Sequence, residues 1–403
     1  MRIVHVQSYF QPGLGYQEYY LMKKQAATGH EPIMITSDRY SPYPNYDKSI
    51  KPILGPRIVG IGEFIENDVR ALRLPIMAEI SAGLILIKGL IEAITSLNPD
   101  IILCHETFSP TAYVVAKNKN RIGVPIVFDN HASDFNTDFT RTFSRKVYRL
   151  LMRRFILPNV CNAADAFVAI GKGERIFLAR EYGISQDRIE LFWLGADTDR
   201  FYFDASARNV FRKELHLSSD DILVIYAGKL ESQKDLDILA EATIIAMSAN
   251  DKLRLLFVGG GEDEYVNNLK KLVEQSVYKE KISFRGMVNP DVLRGLYSAA
   301  DIGVWPGNYS NTILEAMACK LAVVVPHVVS AFSDNSHLTV NGASRGFTRR
   351  NKMELAAIIG ELAENAAFRK VTAQKGYELI MQHYNWDSIS RQFLDLFEKI
   401  LHQ

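Results

Sequence analysis

Trp305-Pro-Gly-Asn-Tyr-Ser-Asn-Thr-Ile-Leu-Glu315-Ala-Met-Ala-Cys-Lys320, followed by the apolar run Leu321 to Val325, reads as a polar turn, a helix with a carboxylate in its first turn, and a buried strand. That layout suits a phosphorylated ligand, because a helix start offers unpaired backbone N–H groups and partial positive charge. Thr312-Ile-Leu-Glu315 supports two readings. It fits a capping box, with Glu315 satisfying the amide at its own helix start. It also fits a site in which Glu315 accepts two hydrogen bonds from a ribose diol, while Ser310, Asn311 and Thr312 turn backbone N–H groups toward phosphate or sugar oxygens.

Outward from this segment, short apolar runs alternate with amphipathic stretches in a βα rhythm that occurs twice. Strands are expected at Ile3 to Ser8, Glu31 to Thr36, Asp100 to Cys104, Pro125 to Asp129, Ala166 to Ile170 and Ile189 to Phe192, then at Ile222 to Ala227, Leu253 to Val258, Ile282 to Arg285, Ile302 to Trp305 and Ala322 to Pro326. Helical patterns lie between them, as at Gln17 to Thr28, Leu236 to Ala249, Tyr265 to Ser276 and Asn289 to Ala299. Buried strands alternating with helices specify an α/β chain with parallel sheets covered on both faces. The polar turn Leu194-Gly-Ala-Asp-Thr-Asp-Arg-Phe201 marks the boundary between two Rossmann-like domains, residues 1–194 and 201–383, facing across a cleft. Residues 384–403, Tyr384-Asn-Trp-Asp and an apolar-periodic helix to Leu401, are expected to pack back on the first domain.

The 403 residues, 47% apolar and 23% charged, are too many for one ordinary core and have a soluble protein's composition. A net charge of +1 argues against nucleic acid as a partner, so an anionic ligand must be met by a local cluster. Cys104, Cys161 and Cys319 are odd in number and widely spaced, as suits reduced thiols in the cytoplasm. Met1-Arg-Ile-Val-His-Val runs straight into a strand pattern, so no export is expected. The most apolar stretch, Leu74 to Ile94, is interrupted by Glu79, Lys88 and Glu92 and falls short of the roughly 20 apolar residues of a spanning helix.

Several further motifs fall at strand ends. Gln11-Pro-Gly13-Leu-Gly15-Tyr-Gln-Glu18 follows the first strand and opens the first helix, where glycines let amides approach an anion; Glu18 stands where a dinucleotide fingerprint has its third glycine. Gly228-Lys229-Leu-Glu-Ser-Gln-Lys234 places two lysines at the carboxyl end of the second domain's first strand, where such folds bind phosphates; solvated loop lysines would look the same. Gly259-Gly-Gly261 and Arg285-Gly-Met287-Val288 are turn sequences that would shape a base pocket if they share one sheet edge. His105-Glu106 and Asp129-Asn-His131-Ala-Ser-Asp134 follow strands of the first domain, as structural histidines or as a catalytic pair. Asp197-Thr-Asp199 and Asp235-Leu-Asp237 have an Asp-x-Asp form that can hold a divalent cation, a pattern common by chance. Arg141, Arg145, Lys146, Arg149, Arg153 and Arg154 are interleaved with Phe143, Val147, Leu150, Leu151 and Phe155. The i, i+4 row from Arg141 to Arg153 would put four arginines on one helical face, either solvated or apposed to an anionic membrane surface or a diphosphate-bearing acceptor.

Taken together, these motifs resemble family-4 retaining glycosyltransferases of the GT-B fold over nearly the whole chain. The Gly15-Tyr16-Gln-Glu18 loop keeps one glycine of the family's pair. Gly228-Lys229-Leu with Lys234 stands for Gly-Arg-Leu and a lysine, Leu194-Gly195-Ala-Asp197 with Phe201 for the interdomain turn, and Leu314-Glu315-Ala-Met-Ala for the most specific helix. The resemblance implies an acceptor-binding first domain and a second domain binding a nucleotide diphosphate sugar, UDP- or GDP-linked. By position, the Gly15 amide would meet the donor phosphate, Lys229 and Lys234 the diphosphate and Glu315 the ribose. Ser310, Asn311, Thr312, Gly259 and Met287 would line the same pocket, and the His131 carbonyl would steady positive charge at the sugar.

The implied reaction is same-face transfer with retention to a glycan or lipid-linked acceptor, as in polysaccharide biosynthesis, in the cytoplasm or peripherally on its membrane. It needs no cofactor, metal or protein nucleophile. Gly307 stands where the family has its first glutamate, and its smallness is expected to leave a space that alters donor choice. Two other readings remain: a nucleotide-sugar epimerase of the same architecture, and a nucleotide-sugar-binding protein that has lost transfer.

Overall fold

The structure is a computed structural model and describes residues 1–43, 45–81, 84–133, 137, 143–330 and 333–403. Asp134 and Arg141 lie outside the described residues. The chain divides into two compact units, Met1–Leu194 with Trp386–Gln403, and Gly195–Asn385.

The first unit is built on an eight-stranded sheet in the order 189–191, 166–169, 126–130, 101–104, 2–6, 31–37, 69–74, 62–66. Every pair is parallel except the last, which is an antiparallel hairpin. The central strands are the apolar runs, buried on both faces: Ile101–Cys104 and Ile126–Asn130 are buried at every residue. The hairpin Gly62–Glu66 with Val69–Leu74 was not expected. It turns at Asn67 and Asp68, both with positive φ (49° and 68°), the backbone a two-residue hairpin turn requires. Arg73 of this hairpin is fully buried, donating to both carboxylate oxygens of Glu66 and to the carbonyls of Ser37 and Phe10. The apolar stretch that follows forms the antiparallel pair Ile76–Ser81 and Leu84–Ile87 and then the short helix Leu90–Ser96. Among the described residues, no helix is long and apolar enough to cross a membrane.

The closing helix Trp386–Leu401 belongs to this unit, as expected. Its Trp386, Ile389, Phe393 and Phe397 are at most 2% exposed and pack against Ile3, Leu21, Ile101, Leu103, Val127 and Val168, with Trp386 stacked on Tyr20 at 5.0 Å. Each such burial contributes on the order of 1.5–3 kcal/mol, enough to hold the helix on the sheet.

The second unit carries a six-stranded, all-parallel sheet in the order 282–285, 253–258, 222–227, 302–304, 322–326, 345–347. This is the doubly wound Rossmann order, whose strand sequence reverses direction between 222–227 and 302–304. Chains leaving neighbouring strands there diverge to opposite faces and open a crevice at the carboxyl edge. Gly228 leaves one of these strands and Trp305 the other, so the lysine loop and the opening segment of the sequence flank that crevice.

Candidate functional site

In the second unit the crevice is closed at its base by Trp305 and Thr312. The Trp305 Nε1–H donates to the Ala227 carbonyl (2.9 Å) and to Thr312 Oγ1 (3.0 Å), while the Thr312 hydroxyl lies 2.8 Å from the same carbonyl and 2.7 Å from Ser310 Oγ. With Thr312 engaged in this way, no capping box forms. The helix is Thr312–Ala318, and the side chain of its cap, Asn311, makes no capping hydrogen bond. Among the described residues, the amides of Ser310, Asn311 and Thr312 have no backbone partner. The Glu315 carboxylate makes no hydrogen bond or ion pair among the described residues. Burial, reinforced by the nearby Asp197 charge and only partly offset by Arg200, pushes its pKa up to about 8. A carboxylate held in this state gains from hydroxyl donors.

The two lysines are brought together. Lys234 is 7% exposed and donates from Nζ to the carbonyls of Asn308 (3.3 Å) and Tyr309 (3.0 Å); Lys229 is exposed. Burial lowers the Lys234 pKa to about 8, with Glu231 opposing and the Lys229 charge adding to the fall. A buried ammonium disfavoured by a neighbouring lysine marks a place where an anion would be welcome.

The glycine loops are structural as well as permissive. A Cβ on Gly259 would lie 1.9 Å from the Gly228 carbonyl oxygen and one on Gly261 1.8 Å from that of Leu230, so the two strand-end loops close on each other only as glycines. They are joined by Gly228 N–H to Val258 O (3.0 Å) and Leu230 N–H to Gly260 O (2.9 Å). Met287, 79% exposed, lies over Gly260 at this same edge.

Gly307 does not leave the expected space. A Cβ there would lie 2.3 Å from the Gln233 carbonyl oxygen and 2.5 Å from Lys234 Cα, all backbone. The gap is filled by the Ser232–Lys234 turn, stitched to the Gly307 segment by Asn308 N–H to Gln233 O (3.1 Å) and Asn308 Nδ2 to Gln233 Oε1 (3.0 Å). The Asp-x-Asp pair Asp235 and Asp237 is occupied as well: Asp235 by Arg349 and Arg350, Asp237 by Arg350.

In the first unit the sheet order reverses between strands 2–6 and 101–104, and the expected loop and histidines gather there. Ser8, just beyond one strand, donates from its amide (3.0 Å) and hydroxyl (2.7 Å) to Glu106, just beyond the other. His5 was not singled out from the sequence, yet it heads a buried chain: Nε2 to Gln25 Oε1 (2.8 Å), Nδ1 to His105 Nε2 (2.8 Å), then His105 Nδ1 to Asp129 Oδ2 (2.8 Å). The chain ties Gln25, His5, His105 and Asp129 into one buried hydrogen-bonded line across three strands and a helix. Burial and the His105 charge push the His5 pKa down to about 3, keeping it neutral.

Burial alone would raise the Asp129 pKa, but His105 and His131 outweigh it and hold the carboxyl well below its usual range. His131, whose Nε2 is 3.6 Å from Asp129 Oδ2, is raised: burial opposes protonation, and the Asp129 charge more than compensates. Metal-ligating atoms of His105, Asp129 and His131 lie within 4.8 Å of one another, close enough to hold an ion, though the His105–Asp129 hydrogen bond already uses two of them.

Gly15 departs from its expected role. With φ 65° it ends the turn Pro12–Leu14, and its amide is spent on the Pro12 carbonyl (3.2 Å). The arginine row runs from the helix Phe143–Leu151 into a π-turn at Met152–Ile156; Arg149 and Arg153 line one pocket with Lys146 and Arg154, and Arg149 is paired with Glu181.

Two family models match the chain: Glycosyltransferase Family 4 over residues 11–200 and Glycosyl transferases group 1 over residues 221–365. A D-inositol 3-phosphate glycosyltransferase of Xylanimonas cellulosilytica is 27% identical over 59% of this chain and 58% of its own length, and a mannosylfructose-phosphate synthase of Agrobacterium fabrum 25% identical over 60% and 54%. The chain thus spans somewhat over half the length of these relatives. Among solved structures, Anabaena HepE in complex with UDP superposes with a TM-score of 0.72 at 15% identity, covering 99% of this chain and 100% of that one. Sucrose-phosphate synthase of Thermosynechococcus elongatus gives 0.69 at 18% identity, covering 100% and 99%. Matched in both halves by these family models, and in its fold by these structures, the chain belongs to the family-4 glycosyltransferases of GT-B architecture.

Proposed function

We propose that the chain transfers a sugar, with retention of configuration, from a UDP- or GDP-linked donor to a glycan or lipid-linked acceptor. The carrying observation is that the carboxyl edge of the second sheet holds both a Glu315 carboxylate with no hydrogen bond or ion pair among the described residues and a buried Lys234 ammonium set against the Asn308 and Tyr309 carbonyls. Glu315 accepts the ribose hydroxyls, the open amides of residues 310–312 and the two lysines take the diphosphate, and Gly259 with Met287 borders the base. The HepE structures with UDP and UDP-glucose support a nucleotide-sugar donor.

In the transfer, the bond from the sugar's anomeric carbon to the diphosphate oxygen breaks as the acceptor oxygen bonds to the same face. The acceptor's proton passes to the leaving phosphate oxygen, and Lys229 and Lys234 stabilise the charge that develops there. No metal enters these steps. Lipid-linked acceptors suit attachment of the exposed Phe143, Leu150, Leu151 and Phe155, flanked by Lys146, Arg153 and Arg154, to an anionic membrane surface on the cytoplasmic side.

The test is a thermal-shift screen of UDP, GDP, ADP and their sugars, followed by transfer assays with anomeric analysis of the product. A ligand at 100 times its dissociation constant adds about 2.7 kcal/mol of stability. Absence of binding by every nucleotide sugar, or Lys234→Ala and Glu315→Ala that leave transfer unchanged, refutes the reading.

A further inference from the structure

At the amino edge of the second sheet, opposite the crevice, lies a cavity of about 530 Å³. It is lined by Arg208, Asp301, Lys320, Arg369 and Lys370, with Phe203 supplying apolar wall. Asp301 immediately precedes strand Ile302–Val304, so the cavity sits at the strand's start, whereas Gly228 and Trp305 follow strand ends. Asp301 is the one carboxylate in the lining, and it is saturated: Oδ1 accepts from Arg208 (2.8 Å), and Oδ2 from Arg212 (3.2 Å) and the Leu223 amide (2.9 Å). Lys320, Arg369 and Lys370 form no ion pair among the described residues. Lys320 lies over the Tyr377 ring at 4.6 Å, and Arg369 donates to the Leu362 and Ala363 carbonyls. Burial and the repulsion of Arg208 disfavour the charged form of Arg369 despite Asp301.

We propose that this cavity is a second anion site that takes a phosphorylated small molecule of sugar-phosphate size and acts as an effector site. Three cations without carboxylate partners meet the phosphate, and the apolar wall and volume accommodate the remainder. Lys320 follows the helix Thr312–Ala318, which carries Glu315 near its start, so an occupant that draws on Lys320 acts on the element that holds the ribose ligand.

Isothermal titration of the full chain with glucose 6-phosphate tests this. Saturable binding is expected, retained in Lys234→Ala and weakened about tenfold or more in Arg369→Gln and Lys370→Glu. Lys370 is exposed, so its reversal leaves the fold intact even where Arg369→Gln, which gives up two carbonyl contacts, does not. No saturable binding, binding that survives Lys370→Glu, or binding abolished by Lys234→Ala overturns the site. By linkage, the phosphate must also change the affinity for a nucleotide sugar; an unchanged affinity overturns the effector role.

Discussion

Replacing Gly307 by glutamate, the residue the family pattern carries there, is the sharpest test of how the sugar end of the crevice is built. Were the position merely vacant, Gly307→Glu would restore an acceptor for donor hydroxyls and tighten nucleotide-sugar binding relative to the bare nucleotide. The backbone of Gln233 and Lys234 stands 2.3–2.5 Å from the new Cβ, so the Ser232–Lys234 turn must move instead. Overpacking of this kind costs about 1–3 kcal/mol. Movement of the turn also endangers the Asn308 contacts and the two carbonyl bonds of Lys234, where hydrogen bonds from a charged donor are worth about 1.5–3 kcal/mol each. Gly307→Ala isolates the Cβ. For a unit of this size it should lower Tm by about 2–4 °C per kcal/mol, and Gly307→Glu should do so at least as much. Calorimetric Tm and titrations with UDP, GDP and their sugars provide the readout, with nucleotide affinity falling about tenfold or more as Lys234 is displaced. A Gly307→Glu protein with wild-type Tm and a selective gain for nucleotide sugar over nucleotide would refute the reasoning.

Affinity for a nucleotide sugar, whose diphosphate does not itself titrate in this range, should peak near pH 8: it rises as Glu315 ionises and falls as Lys234 loses its proton, both at about 8. Glu315→Gln should leave only the fall and Lys234→Ala only the rise, measured by titration across pH. In the free protein, Glu315 has its pKa raised above the 4.5 of the unfolded chain, so its penalty grows as pH rises from 4.5 to about 8; Glu315→Gln should be increasingly stabilised over that window in urea unfolding. Asp129→Asn should cost about 1–3 kcal/mol at neutral pH, since it removes the charged acceptor of the buried His105 hydrogen bond. The depressed Asp129 stabilises above its unfolded value of 3.8 and loses that contribution as pH falls, so the gap between the two proteins should narrow in acid. Sedimentation with vesicles rich in anionic lipid should fall about tenfold in Leu150→Ser combined with Phe155→Ser, and unchanged sedimentation would remove the membrane contact.

The central parallel strands were legible because they are apolar runs buried on both faces, as Ile222–Ala227 and Ala322–Pro326 are; the edge strand Arg345–Phe347, three residues long and largely half-buried, was not expected. The hairpin Gly62–Glu66 with Val69–Leu74 escaped because its strands, at the end of the sheet, alternate apolar residues with Glu63, Arg70 and Arg73; the Asn67-Asp68 turn was the available signal. His5 escaped for a different reason. It sits inside a strand, and only the pairing of strand 2–6 with 101–104 brings His105 to it.

The same distinction governs the crevice. Glu315, Lys229 and Lys234 could be placed because strand ends of a doubly wound sheet converge at one edge whatever the intervening sequence. The Gly15 amide was expected to meet a phosphate and instead bonds the Pro12 carbonyl, since turn geometry rather than residue type decides where an amide points. Gly307 shows the limit most clearly. In sequence, a glycine where a longer side chain is usual looks like a hole; whether it is one depends on what lies opposite. Here that is the main chain of a turn some seventy positions earlier, held by Asn308 and by Lys234, one of the proposed phosphate ligands. The small residue at 307 and the burial of Lys234 are thus one feature. A change in donor choice at this end of the crevice would come from the Gln233 and Asn308 side chains that now form its wall, rather than from an emptied pocket.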